Sequence, residues 1–169
     1  YISSGFDNIR AASLTPTESL LNRLQEGMED KKNTRQDEIT FLSCKEYIQK
    51  NGPSVVLLAL GGTDEAAHQQ QYDRYLSQAA NADRMIGELW QYLQTLPAYA
   101  GKTSFLITTD HGRGSSTANW YTHGIFTKGS SQTWMALLGN GIRPGGEQKG
   151  EGQQYQKNLK QLMLRLLSQ

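Results

Sequence analysis

Apolar residues cluster along this chain in two rhythms, and each rhythm predicts a different kind of element. Val55-Val56-Leu57-Leu58-Ala59-Leu60 is an unbroken apolar run stopped by Gly61-Gly62. Thr103 to Thr109 is rich in β-branched residues and stops at Asp110, and Thr133 to Leu138 is closed by Gly139-Asn140-Gly141. Each run has strand length and a turn signal at its end. Continuous rather than alternating apolar runs predict a mostly parallel central sheet flanked by helices on both faces. An average sheet has about five or six strands, so three point to an incomplete portion of a larger fold.

Between the runs the period is helical. Thr15-Pro16-Thr17-Glu18 is a capping box with proline at the first helical position, and it opens a helix to about Met28. Asp37 to Gln49 is a second, with Ile39, Phe41, Leu42, Tyr47 and Ile48 as its apolar positions. From Asp73 to Leu96 the spacing predicts one long helix, with Leu76, Ala79, Ala80, Met85, Ile86, Leu89 and Trp90 on one face. Tyr155 to Leu167 is a terminal amphipathic helix with Leu159, Leu162, Met163 and Leu166 inward. Strand–helix–strand order makes the fold class α/β with right-handed crossovers.

Composition narrows the function by exclusion. The 169 residues suit a single domain, and 17 Lys and Arg against 16 Asp and Glu leave no field to gather nucleic acid or an anionic membrane. One cysteine, Cys44, excludes a disulfide framework and a Cys-rich zinc knuckle. No run reaches the roughly 18 apolar residues of a membrane span. The chain opens at Tyr1 without a methionine, which leads us to expect a processed or trimmed product.

Chemistry concentrates on the three histidines. His68 closes Asp64-x-x-x-His68, His111 follows Asp110, and His123 precedes Gly124 in a Gly/Ser-rich loop. Imidazole and carboxylate together are transition-metal donors. A spacing of four puts Asp64 and His68 on one face of a helical turn. Adjacent Asp110 and His111 point to opposite sides inside a strand, so sharing an ion requires a bend after Thr109, which Gly112 and Gly114 allow. In open α/β sheets the carboxyl ends of strands form the ligand edge, and both pairs follow predicted strands. A loop of roughly 20 residues from His111 to Gln132 is long enough to be functional and to bring His123 back to Asp64 and His68. Two metals about 4 Å apart would suit in-line displacement at phosphorus.

The ordered set Leu60-Gly61-Gly62-Thr63-Asp64-Glu65-Ala66-Ala67-His68, Thr108-Thr109-Asp110-His111-Gly112-Arg113-Gly114 and His123-Gly124 resembles the alkaline phosphatase superfamily. That group includes phosphatases, nucleotide pyrophosphatases, sulfatases and phosphomutases, and the resemblance spans about residues 38 to 167. It implies Asp64, His68 and His123 on a first divalent ion and Asp110 and His111 on a second, with zinc or manganese favoured over magnesium. It also implies metal-dependent hydrolysis or transfer of a small phosphate or sulfate ester, and a periplasmic or secreted location. The superfamily also uses an early Asp and a Thr or Ser nucleophile upstream of Asp-x-x-x-His. Ser3, Ser4, Asp7, Ser13 and Thr15 match no such pattern, so the nucleophile is expected upstream of Tyr1. The chain is thus expected to be the C-terminal part of a larger metallohydrolase, inactive without its N-terminal segment.

Each of these residues also has a plainer reading. A single histidine at a strand end is usually a hydrogen-bonded structural residue; three in series with two aspartates are harder to place that way. Glu65 reads as solvated or as an outer partner of the site, a minor candidate ligand, and Arg113 either clamps a phosphate oxygen or is a surface charge. Trp120 and Tyr121 either line a substrate pocket or pack, Trp90 and Trp134 belong to core patterns, Thr15 is a cap, and Cys44 is a small buried residue. The competing functions are a non-catalytic domain with structural metal and, less favoured, a metal-free carbohydrate- or protein-binding module.

Overall fold

The computed structural model describes residues 8–28, 35–148 and 153–168, so Tyr1, Ser3, Ser4 and Asp7 lie outside the described residues. The chain divides into two compact units, Tyr1–Gln91 with Trp120–Thr122, and Tyr92–Asn119 with His123–Gln169.

The first unit is helical. α1 (Pro16–Glu26) starts where the sequence says it should: the Thr15 hydroxyl accepts from the Glu18 N–H, and the Glu18 carboxylate accepts from the Thr15 N–H. The same carboxylate takes a 2.7 Å hydrogen bond from Lys50 near the end of α2 (Asp37–Asn51), which clips the two helices together. Glu18 is buried, yet its pKa is lowered: burial pushes it up, and the Lys50 ammonium and the Thr15 N–H more than offset that. Ile9, Leu21 and Ile39 form a core with Met28 packed against it. Burying each such side chain contributes roughly 1.5–3 kcal/mol. Asn22 holds the segment before α1, donating to the Ile9 carbonyl and accepting from the Ile9 N–H. Leu42, expected inward, is 45% exposed. Cys44 is half-buried, and burial pushes its thiol up to about 11.

The short α3 (Gly62–His68) follows, ending in a reversal at Gln70, which has φ 57. Gln70 donates to the Ala67 carbonyl and Gln71 to that of Ala66, the paired bonds of a Schellman motif. α4 (Tyr72–Thr95) runs on from it. Its buried stripe is Met85, Leu89 and Leu93, one residue every four. The expected apolar face holds only from Met85 onward: Leu76 is 49% exposed, and Ala79 and Ala80 are exposed too.

In the second unit β1 (Ser104–Thr108) pairs antiparallel with β2 (Met135–Gly139), in the register Ser104↔Gly139 to Thr108↔Met135. The mostly parallel sheet expected from the apolar runs is therefore absent among the described residues, which hold five α-helices and this two-stranded sheet. Val55–Leu60 forms no strand; Val55, Val56 and Leu57 are 48, 41 and 91% exposed. An apolar run becomes a strand only when a neighbour takes its backbone N–H and C=O groups, and no described residue does so here. Trp134, read as core, lies just before β2 and is 57% exposed. The tail starts later than expected, a 3₁₀ turn at Gln156–Asn158 leading into α5 (Leu159–Leu167). Leu159, Leu162 and Leu166 are half-buried as the inward set, while Met163 is exposed. No helix among the described residues is long and apolar enough to cross a membrane.

Candidate functional site

The first unit contributes Asp64 and His68 from α3. One helical turn separates them, and Asp64 Oδ2 lies 3.5 Å from His68 Nε2, both side chains close to half exposed. The carboxylate and the imidazole therefore offer donor atoms from the same face at the helix surface. Glu65 is turned elsewhere, accepting from Gln69 Nε2. Ala66 and Ala67 are fully buried, anchoring the opposite side of the helix.

What holds this turn in place is a residue the sequence did not single out. Asp37, at the start of α2, is buried and accepts from the backbone N–H groups of Gly61 (2.8 Å) and Gly62 (3.0 Å). Burial pushes its carboxyl above the usual carboxylate range, against the pull of those two donors. No sequence signal marks the contact, because Asp37 at a helix start reads simply as a favourable first-turn acid.

The second unit contributes Asp110 and His111 from the end of β1, and His123. The chain bends after Thr109 as the two glycines permit. Gly112 donates to the Ser130 carbonyl at 2.7 Å, and the backbone of 112–114 lies against 129–132. A Cβ on Gly112 would fall on the carbonyl oxygens of Gly129 and Gln132, so only glycine fits. Gln156, from the 3₁₀ turn, donates to the carbonyls of both Thr109 (2.9 Å) and Asp110 (2.6 Å). Sequence reasoning missed this brace too.

His111 Nδ1 sits 2.9 Å from the Gly112 carbonyl. A carbonyl can only accept, so Nδ1 carries the proton; in the neutral ring Nε2 then presents its lone pair, the arrangement of a metal-ligating histidine with its outer partner in place. Asp110 Oδ1 lies 3.7 Å from that Nε2, and the Asp110 side chain is 89% exposed. The His111 and His123 rings stack with centroids 3.7 Å apart and planes inclined by 18°. Gly124 beside them donates to Ser130 Oγ, which ties the His123 end of the loop to the same residue that anchors Gly112. Beyond it Ile125 and Phe126 are 92 and 97% exposed. Arg113 is half-buried between the two glycines.

Trp120 and Tyr121 pack rather than stand free. Trp120 meets Tyr72 and Tyr75 edge-on at 5.1 and 5.7 Å, and Tyr121 meets Trp120 the same way at 6.1 Å. By donor type, Asp64 and His68 of the first unit offer one carboxylate and one imidazole, and His123 of the second unit offers a further imidazole. That composition suits a borderline-soft divalent ion, and the fixed His111 tautomer fits the same chemistry.

No curated protein and no solved structure matches the chain. A family model does, that of type I phosphodiesterase / nucleotide pyrophosphatase, over residues 9–162. With both Asp/His pairs and His123 inside that span, the chain belongs to the type I phosphodiesterase / nucleotide pyrophosphatase family, a member of the alkaline phosphatase superfamily.

Proposed function

We propose that this chain supplies the metal-holding side of a two-ion phosphoester hydrolase. Asp64, His68 and His123 hold a first divalent ion, and Asp110 with His111 contributes to a second; both are zinc or manganese. The observation that carries the reading is the Asp64–His68 pair on one turn of α3 in a chain of this family. Ions bound there would supply Lewis-acid stabilisation of the charge that develops on phosphorus oxygens.

The chain's own residues do the rest. The Gly112 carbonyl favours the His111 tautomer with its proton on Nδ1, which leaves Nε2 of the neutral ring as the donor to the ion. Gln156 holds the Asp110 backbone while the Asp110 carboxylate stays exposed, open to the second ion. Arg113 clamps a non-bridging phosphate oxygen through its guanidinium fork. The partner is a small-molecule phosphate ester, acted on in the periplasm or after secretion. None of the described hydroxyls is assigned as nucleophile.

The test is hydrolysis of bis(p-nitrophenyl) phosphate, p-nitrophenyl phosphate and p-nitrophenyl sulfate by the full-length protein. Activity should vanish with chelator, return with zinc or manganese, and favour phosphorus over sulfur. His68→Ala and Asp110→Asn should each lower kcat/KM by on the order of 1,000-fold, about 4 kcal/mol of lost stabilisation. Full activity in either variant would overturn the assignment, and zinc binding without turnover would reduce the site to a structural one.

A further inference from the structure

We propose that Asp37 is a positioning residue for the Asp64–His68 pair. The inference rests on reading those two side chains as metal ligands. From the first turn of α2, its carboxylate fixes the segment from which α3 departs, and with it the rotation of the helix that carries both donors.

α3 has seven residues, and isolated helices shorter than about 12–15 residues do not hold themselves in water. Its direction is therefore imposed from outside, by the burial of Ala66 and Ala67 along one side and by what holds its two ends. At the C-terminal end the Schellman bonds of Gln70 and Gln71 do this, with Gln70 accepting the left-handed conformation that glycine usually takes. At the other end Gly61 stands in the cap position and has no side chain to offer. Asp37 does the work from another helix: Oδ1 takes the Gly61 N–H and Oδ2 the Gly62 N–H. Hydrogen bonds to an ionised acceptor are roughly twice as strong as neutral ones, and two of them from one planar group define an orientation.

The fit leaves no slack. A Cβ on Gly62 would stand 2.8 Å from Asp37 Oδ2 and 2.7 Å from Gln78 Oε1. Gln78 can swing aside, whereas a short, buried aspartate has little room to follow. Asp64 is two residues beyond Gly62, and the rigid turn carries any displacement to it and on to His68. Ligand distances in a metal site must hold to about 0.2 Å, so even a small roll of α3 matters.

The experiment measures zinc affinity by competition with a chromophoric chelator, alongside amide hydrogen exchange of the metal-free protein. Asp37→Asn keeps one acceptor but turns an amide N–H₂ toward a backbone N–H. It should weaken zinc binding by about 10- to 100-fold, the usual effect of removing an outer partner. It should also speed exchange over Glu65–Gln69. Glu38→Gln, on the same first turn of α2, should leave both unchanged, separating positioning from general support of α2. If Asp37→Asn fails to fold, Gly62→Ala attacks the same contact from the other side and should give the same two changes. Wild-type zinc affinity with unchanged exchange in the folded variant would overturn the proposal. Should the wild-type protein bind no zinc, or His68→Ala bind it equally well, the ligand reading falls. Exchange over α3 then decides alone whether Asp37 holds the helix, and unaltered exchange would overturn that too.

Discussion

The Asp64–His68 and Asp110–His111 pairs use the same two residue types and present them by opposite means. On α3 the helix itself does the aligning, since a spacing of four brings two side chains to one face wherever the surrounding chain goes. At the end of β1 the backbone would send neighbours apart, and alignment depends on a bend that distant residues must hold. Gly112 against 129–132, Ser130 on Gly112 and Gly124, and Gln156 on the carbonyls of Thr109 and Asp110 are those holds. The helical pair needs its helix aimed; the strand-end pair needs its loop built. A single loop substitution should therefore cripple the second and spare the first.

Gly112→Ala is the strongest way to break that contrast. Its methyl group falls on two carbonyl oxygens, and overpacking of this kind costs about 3 kcal/mol. Urea unfolding should show the loss, and the ring-current shifts that stacking imposes on His111 and His123 should disappear. The α3 amides should keep their exchange rates; if they change equally, the two halves are not separately built.

How much of this was legible follows the same division. The capping box at Thr15 and Glu18, the extent of α4 and the four-residue spacing of Asp64 and His68 are local patterns, and local patterns survive into structure. β1 and β2 were visible as apolar runs, but their antiparallel pairing was not, because a run does not record which neighbour it meets. Val55–Leu60 misled for that reason. Asp37 and Gln156 left no trace, since each acts across 24 or more positions through backbone atoms that every residue has.

Acid offers a second, smaller test, directed at the helical half. Glu18 has a lowered pKa, so its contribution is present above the unfolded carboxylate value and is lost as pH falls through the folded one. Thermal stability should drop as pH descends through and below the carboxylate range. Glu18→Gln should cost about 2 kcal/mol at neutral pH, since it leaves the Lys50 ammonium only the Ser13 carbonyl and weakens the cap, and should flatten the acid slope. A slope unchanged in the variant would mean that another carboxylate carries the acid sensitivity.

Gln156→Ala gives the smallest effect. Its two hydrogen bonds are solvent-exposed, so water replaces them and the loss should stay below about 1 kcal/mol. Asp110 should nonetheless become more mobile, visible as a lower backbone order parameter at Asp110 and none at Asp64. A loss several times larger would show that the 3₁₀ turn supports β1 as a whole.

The run Val55–Leu60, which no described strand pairs with, also bears on how the protein behaves in solution. Six consecutive residues carry no charge, no proline and no glycine, and three of them, Val55, Val56 and Leu57, are more than 40% exposed. Segments of that composition are the ones that stack into cross-β assemblies. The residues that interrupt such stacking stand just outside it, Pro53 before and Gly61-Gly62 with Asp64 after. A lysine placed within the run, as in Leu57→Lys, should therefore slow any concentration-dependent association of the protein, read by light scattering.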